Sequence, residues 1–154
     1  MPFVHGPQGV AFEYCFTTTF EDTNLVGNIY FANYARWQGK CREMFLQEYC
    51  PDVIDQVHKG LALITLDLHL RYISQLFAFD KVIMRMSLGS MASSRMMMLF
   101  KYYKATRGGE ELVCEGSQAM ACMRAETGGR MVAAPIPESI FEVFNQFGVV
   151  PVTA

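Results

Sequence analysis

The segment NYARWQGKCREMFLQEY, residues 33–49, has the periodicity of an amphipathic helix. Its apolar and aromatic residues recur at steps of three and four, as on one face of a helix: Tyr34, Trp37, Cys41, Met44 and Phe45. Asn33 can cap the start of this helix, and Pro51 is expected to end it. We therefore predict one long helix whose apolar face packs against the rest of the chain.

Arg42 does not follow the division of this helix into an apolar and a polar side. The polar stripe consists of four residues at steps of three and four, namely Arg36, Lys40, Glu43 and Gln47. At about 100° per residue, Arg42 points well over 90° away from the centre of that stripe. Its guanidinium should therefore face protein or a cavity, which makes Arg42 a candidate site residue.

Strand-like segments lie on both sides of the helix. Residues 10–20, VAFEYCFTTTF, are rich in aromatic and β-branched residues, and the loop sequence EDTNLVGN follows them. After the helix, a polar segment through Gly60 leads to four candidate strands, at residues 61–74, 81–91, 94–106 and 111–126. The turn sequence RGGEE predicts a hairpin between the last two strands.

The segment LALITLDLHLRYIS, residues 61–74, alternates strictly between apolar and polar positions. The alternation predicts Thr65 and Asp67 on one face of a strand and Leu66 and Leu68 on the other. One long helix and about five antiparallel strands make an α+β fold, in which the sheet buries one face against the helix. Because such a sheet has unpaired edges, we expect a homo-oligomer, either a dimer or a tetramer built as a dimer of dimers.

The composition indicates a single domain over residues 1–154, with a core at about 10–127 and a short tail helix at 137–147. With 13 basic and 15 acidic residues, the chain lacks the positive field that nucleic acid requires. No apolar run reaches the length of a membrane helix, and the first residues lack the features of a signal peptide. The five cysteines and three histidines are scattered along the chain. We therefore expect a cytoplasmic protein with reduced thiols, no metal ion and no cofactor.

The stretch from Thr19 to Arg42 resembles the 4-hydroxybenzoyl-CoA-thioesterase-like branch of the hotdog superfamily, in which a D-x-x-G loop precedes an aromatic N-Y helix start. The order and length of the elements are similar over nearly the whole chain. This resemblance implies a hotdog fold, with the sheet wrapped around the long central helix, and a thioesterase activity. In that family the residue three before the loop glycine is usually an Asp that acts as nucleophile or general base. Here it is Asn24, which has no carboxylate to accept a proton.

Thioesterases of enediyne polyketide biosynthesis lack this acid, and the chain resembles them in the order and spacing of four residues. The resemblance implies a site that consists of Asn24, Tyr34, Arg42 and Thr65. From the sequence alone, Asn24 also fits a structural turn, Tyr34 a packing aromatic and Thr65 an ordinary strand residue. Asp22 and Glu43 are the alternative candidate carboxylates, although we expect Asp22 to cap the loop and Glu43 to lie in the polar stripe of the helix.

Hydrolysis of a thioester needs a positioned water and donors aimed at the oxygen on which negative charge develops. Asn24 can orient the water or the thioester carbonyl, and the backbone N–H groups near Val26 and Gly27 can donate to the oxyanion. Arg42 can hold a β-carbonyl or a developing carboxylate. The resemblance implies a polyene β-ketoacyl or β-hydroxyacyl substrate on the acyl carrier domain of an iterative polyketide synthase, whose released β-keto acid can lose CO₂. A general acyl-CoA thioesterase and a non-catalytic acyl-binding protein are the open alternatives.

Overall fold

The computed structural model describes residues 3–6, 9–146 and 152–153. Within this part of the chain, eight strands form one sheet: β1 (Phe3–Gly6), β2 (Gly9–Thr17), β3 (Leu61–Tyr72), β4 (Lys81–Met91), β5 (Arg95–Thr106), β6 (Gly109–Ala125), β7 (Met131–Ala133) and β8 (Val152–Thr153). Three α-helices accompany the sheet: α1 (Asn33–Tyr49), α2 (Pro51–His58) and α3 (Glu138–Gln146). The predicted α+β class is confirmed.

The main strands lie in the order β1-β2-β4-β5-β6-β3, and neighbours along this path are antiparallel. The predicted hairpin joins β5 to β6, with Thr106 opposite Gly109. The short strand β7 pairs with β6, and β8 runs parallel to β4. β3 is the last strand of the path, so one of its edges has no neighbour in the part of the chain that the structure describes.

Helix α1 lies against one face of the sheet because its inward side carries large apolar rings. Phe45 is fully buried, and its ring centroid lies 5.6 Å from that of Phe12 on β2 and 5.1 Å from that of Phe144 on α3. Full burial of a Phe side chain stabilises a fold by roughly 1.5–3 kcal/mol. Ile140 is also fully buried in this cluster, so the core extends past residue 127 into the tail helix. The last predicted position of that helix, Phe147, lies outside the described residues.

The ends of α1 fall where the sequence predicts them, but the residues around them behave differently. Ala32 is the N-cap, and Asn33 is the first helical residue. The Asn33 side chain does not cap the helix, because its Nδ2 donates to the carbonyl oxygen of Asp22 at 2.7 Å and so ties the helix to the preceding loop. Pro51 separates α1 from a second helix, where the sequence predicts only a polar segment. Proline is tolerated at the first position of a helix, where its missing N–H has no partner to lose.

β3 contains a bulge that corrects the predicted assignment of its faces. Thr65 pairs with Met120, and Asp67 pairs with Ala119, so Leu66 is an extra residue on β3. A bulge shifts the alternation of a strand by one residue, and the strict pattern of the sequence hides this shift. Thr65 therefore shares a face with Leu68, not with Asp67. This is the face that α1 covers.

Candidate active site

Arg42 lies between α1 and the pair of strands β3 and β6, as its position on the helix predicts. Its Nη1 donates to Oε1 of Gln118 at 2.8 Å and lies 3.4 Å from Oγ1 of Thr65. A third contact, to Sδ of Met120, measures 3.6 Å. The bulge at Leu66 places Thr65 on the side of the strand from which it reaches the guanidinium. The structure therefore brings together two of the four predicted site residues, Arg42 and Thr65.

The guanidinium of Arg42 is a largely desolvated cation without a carboxylate in contact. Burial lowers the pKa of Arg42 from its usual value, and the charge of neighbouring Glu43 opposes this shift. Among the described residues, no ion pair involves Arg42. Its Nε is buried and forms no hydrogen bond there, and no bond of Nη2 to a described residue occurs either. Because arginine stays protonated in proteins, the Nε and Nη2 side of the group can bind an oxygen or an anion.

Tyr34 lies two helical turns before Arg42 on the same side of α1. Its side chain is 3% exposed, and its ring lies 5.0 Å from that of Tyr72 on β3. Burial raises the pKa of Tyr34, so its hydroxyl stays protonated and available as a donor at neutral pH. Tyr34 is one of the residues that line a pocket of about 240 Å³, together with Phe31, Tyr72 and Ile73. Tyr34 thus packs as an aromatic residue and also borders a cavity.

Asn24 lies in a tight loop before α1, and its own backbone and side chain build that loop. Its Oδ1 accepts from the N–H of Val26 at 3.0 Å, and its carbonyl oxygen accepts from the N–H of Gly27 at 3.1 Å. Gly27 has φ +93°, a left-handed conformation that glycine adopts without strain. Both backbone donors that the sequence analysis assigned to the oxyanion are therefore used within the loop in this conformation.

The same loop leaves the other end of the Asn24 side chain free. Oδ1 is held by Val26, whereas Nδ2 forms no hydrogen bond with any residue that the structure describes. The amide of Asn24 can therefore donate to a substrate oxygen through Nδ2. No hydrogen bond connects Asn24 to Arg42 within the described part of one chain.

Among the described residues, neither alternative carboxylate forms a hydrogen bond or an ion pair with Arg42. Oδ2 of Asp22 accepts from the backbone N–H of Thr19 at 2.9 Å and so stabilises the short turn before the loop. Glu43 is exposed on α1, in the polar stripe to which its spacing assigns it. In the residues described, no group of three or more His, Cys, Asp or Glu side chains could hold a metal ion.

Two buried glutamines next to Arg42 were missed by the sequence analysis. Gln118 on β6 is 3% exposed and accepts the shortest hydrogen bond of Arg42. Gln38 on α1 is fully buried between Tyr34 and Arg42, and neither of its amide atoms has a hydrogen-bond partner of good geometry. Its closeness to the hydroxyl of Tyr102 partly offsets the rise that burial causes in the pKa of that tyrosine. Both glutamines could have been found from the sequence, because each places an amide at a core-facing position of an otherwise apolar pattern.

Gly116 on β6 is the reason that Gln38 fits beneath the sheet. A Cβ at residue 116 would lie 2.7 Å from Nε2 of Gln38 and 2.3 Å from the carbonyl oxygen of His69. Both distances are shorter than real Cβ contacts, so only glycine fits at this position. Tyr34, Gln38 and Arg42 thus form a polar row along α1 that faces β3 and β6.

A depression of about 400 Å³ lies elsewhere on the sheet, among β3, β5 and β6. It is lined by residues such as His69, Lys101 and Ser117, and by none of the predicted site residues. None of the described helices has the length and apolar character needed to cross a membrane.

Comparisons with known proteins agree with this architecture. A family model described as the Thioesterase-like superfamily matches residues 18–144. A crystal structure of the dynemicin thioesterase, from a study of polyene binding, is 37% identical with a TM-score of 0.84 and covers 91% of this chain and 99% of its own. No curated protein sequence gives a significant match.

Two more distant structures share the fold. The 4-hydroxybenzoyl-CoA thioesterase from Pseudomonas sp. strain CBS-3 is 16% identical, with a TM-score of 0.72 over 86% of this chain and 98% of its own. The 1,4-dihydroxy-2-naphthoyl-CoA thioesterase from Synechocystis is 14% identical, with a TM-score of 0.75 over 91% and 99%. The chain therefore belongs to the Thioesterase-like superfamily and is a thioester hydrolase with the hotdog fold.

Proposed function

We propose that the chain hydrolyses a polyene β-ketoacyl or β-hydroxyacyl thioester carried by the acyl carrier domain of an iterative enediyne polyketide synthase. The similarity to the dynemicin thioesterase, whose crystal structures concern polyene binding, supports this substrate class. The observation that carries the proposal is the partly buried guanidinium of Arg42, with Nε and Nη2 unpaired among the described residues and no carboxylate in contact. Such a cation fits an acyl group with a second oxygen at the β-position.

The reaction then depends on positioning and charge rather than on a strong base. Water adds to the thioester carbonyl carbon, the C–S bond breaks, and the products are a carboxylic acid and the free thiol of the carrier. Nδ2 of Asn24 donates to the carbonyl oxygen on which negative charge develops, and Arg42 binds the β-oxygen and the developing carboxylate. The Tyr34 hydroxyl and Thr65 complete the hydrogen-bonding network. A released β-keto acid loses CO₂ to give a methyl ketone.

We further propose that a complete site forms between two copies of the chain. β3 ends the main path of the sheet, and a row of exposed apolar side chains follows it on both faces: Ile64, Leu66, Leu68 and Tyr72 on the strand, and Ile73 just after its end. Joining two β3 edges would cover this row and extend the hydrogen-bonded sheet. It would also allow the exposed Asn24 loop of one copy to approach the Arg42 of the other. A dimer, or a tetramer built from two dimers, is the assembly that this arrangement supports.

The proposed partner and location follow from the same features. An acyl carrier domain presents its thioester at the end of a long arm. The carrier domain itself can therefore stay on the protein surface while the thioester reaches Arg42 and Asn24. A cytoplasmic location fits the cysteines, because all five are free thiols in the structure.

The test is to incubate the purified protein with β-ketoacyl thioesters on a carrier protein and to quantify the released carboxylic acid. We expect Arg42→Ala to lower kcat about 100-fold, since removing one donor to developing charge typically costs about 10²–10³ in rate. The matched control is Lys40→Ala, which removes an exposed cation from the same helix and should keep the wild-type rate. An Arg42→Ala enzyme as fast as wild type would refute the role of Arg42. Equal rates on short, medium and aromatic CoA esters would favour a general acyl-CoA thioesterase instead.

A further inference from the structure

Gln118 is a polar residue in an otherwise apolar environment. It lies on β6 between Leu68 of β3 and Met98 of β5, and only 3% of its side chain is exposed. Burying an amide costs free energy unless it forms hydrogen bonds. The structure gives this amide one strong partner, the Nη1 of Arg42 at 2.8 Å.

The orientation of the Gln118 amide follows from the chemistry of its partner. A guanidinium has only donors, so the carbonyl end of the amide must face it. The other two contacts of Nη1 are longer, at 3.4 Å to Thr65 and 3.6 Å to the sulfur of Met120. Gln118 is therefore the main group that fixes the plane of the guanidinium. Nε–H and one N–H of Nη2 lie parallel on the other side of the group, where Nε is buried and neither nitrogen has a hydrogen-bond partner among the described residues.

The neutrality of Gln118 has a further consequence. A carboxylate at this position would form a buried ion pair with Arg42, and the charge of the cation would then be compensated inside the protein. A neutral oxygen acceptor orients the guanidinium but leaves its charge available to a ligand. We propose that Gln118 is a positioning residue for thioester hydrolysis, which aims the Nε and Nη2 side of Arg42 at the acyl group without neutralising it. This inference rests on the proposed function of Arg42.

Three variants separate the two properties of Gln118. Gln118→Met keeps the side-chain volume but replaces the amide oxygen by a thioether, which is only a weak acceptor, and we expect kcat to fall about tenfold while KM changes less than about threefold. Gln118→Glu keeps an acceptor and adds a negative charge. This variant should bind a saturated long-chain carboxylate at least about tenfold more weakly than wild type does, because the new side-chain carboxylate and the ligand carboxylate compete for Arg42. Met98→Leu is the packing control on the neighbouring strand, and it should keep wild-type values.

A double-variant comparison separates positioning from a structural role. Calorimetry measures the affinity for the same carboxylate in wild type, Gln118→Met, Arg42→Ala and the double variant, including enzymes too slow for kinetics. If Gln118 acts through Arg42, Gln118→Met changes this affinity in the wild-type background and leaves it unchanged in the Arg42→Ala background. Equal losses in both backgrounds, a Gln118→Met enzyme with wild-type kcat, or a Gln118→Glu enzyme with wild-type carboxylate affinity would overturn the inference. If only the role of Gln118 is wrong, the Arg42→Ala enzyme is still impaired. If the proposed function of Arg42 is wrong, the Arg42→Ala enzyme is fully active.

Discussion

Replacing Gly116 by alanine should destabilise the fold at the centre of the β3–β6 pair. The added Cβ would lie 2.3 Å from the carbonyl oxygen of His69 and 2.7 Å from Nε2 of Gln38. Carbon and oxygen atoms normally approach to about 3.3 Å, so the strand backbones would have to separate by roughly 1 Å. The contact with Gln38 is the easier one to relieve, because Nε2 is the far end of a flexible side chain.

The magnitude follows from the kind of atom that the new methyl group meets. Overpacking of a close-packed core typically costs about 1–3 kcal/mol, and a backbone oxygen relaxes less readily than a side chain. We therefore expect Gly116→Ala to lower the free energy of unfolding by about 2–3 kcal/mol. For a chain of this size, that loss corresponds to a decrease in Tm of roughly 4–12 °C.

Gly39 provides the matched control, because the same substitution there should have the opposite sign. Gly39 lies within α1, and a Cβ at this position meets no atom within 4 Å. Alanine in a helix interior is more stable than glycine by roughly 0.5–1 kcal/mol. Urea unfolding of both variants measures the two effects. A Gly116→Ala protein that unfolds at the wild-type midpoint would refute the close approach of Gly116 to β3 and Gln38.

Two further predictions concern the buried thiols and the exposed edge of β3. Cys15 is the exposed cysteine and the other four are buried, so a thiol reagent at pH 8 should modify one thiol in native protein and five after denaturation. Burial raises the pKa of the Cys122 thiol to about 11. In the unfolded chain the Cys122 thiol has its ordinary pKa of 9.0, so the stability that comes from keeping it protonated is complete below pH 9 and is lost as the pH rises towards 11. Urea titrations should therefore give a lower free energy of unfolding at pH 10.5 than at pH 8. Ile64→Lys, which adds a charge to β3, should reduce the molar mass measured by sedimentation to that of one chain and abolish turnover while preserving the circular dichroism spectrum. A fully active wild-type monomer would contradict the shared site.

The long helix could be predicted from the sequence to its terminal residues because periodicity at 3.6 residues is a property of the chain itself. The inward direction of Arg42 follows from the same periodicity, and the hydrogen bond to Gln118 confirms it. The bulge at Leu66 could not be predicted, since apolar and polar residues continue to alternate through it. The register of β3 depends on its pairing with β6, which is a long-range contact that the local sequence pattern of β3 does not determine.

The loop before α1 shows a different limit of sequence-based reasoning. From the sequence, a turn-forming Asn and a functional Asn are competing interpretations of Asn24, yet the geometry makes the two roles compatible. The turn uses Oδ1 and leaves Nδ2 without a partner among the described residues, so the hydrogen bond that forms the loop also fixes the amide that carries the donor. It also occupies the N–H groups of Val26 and Gly27, which spacing alone suggests as free donors.

The absence of a carboxylate around Arg42, among the residues that the structure describes, has an energetic cost that a purely structural role does not explain. A desolvated guanidinium with only neutral partners destabilises the folded state relative to a well-packed apolar residue of similar size. Gln118, Thr65 and Met120 orient the group but supply no opposing charge. An acyl group that gains negative charge during hydrolysis would supply it at the moment when it lowers the barrier most. A site without an acidic base would thus depend on the positive charge of Arg42. The negative charge of the transition state stabilises this cation, whereas the free enzyme offers it no carboxylate partner among the described residues.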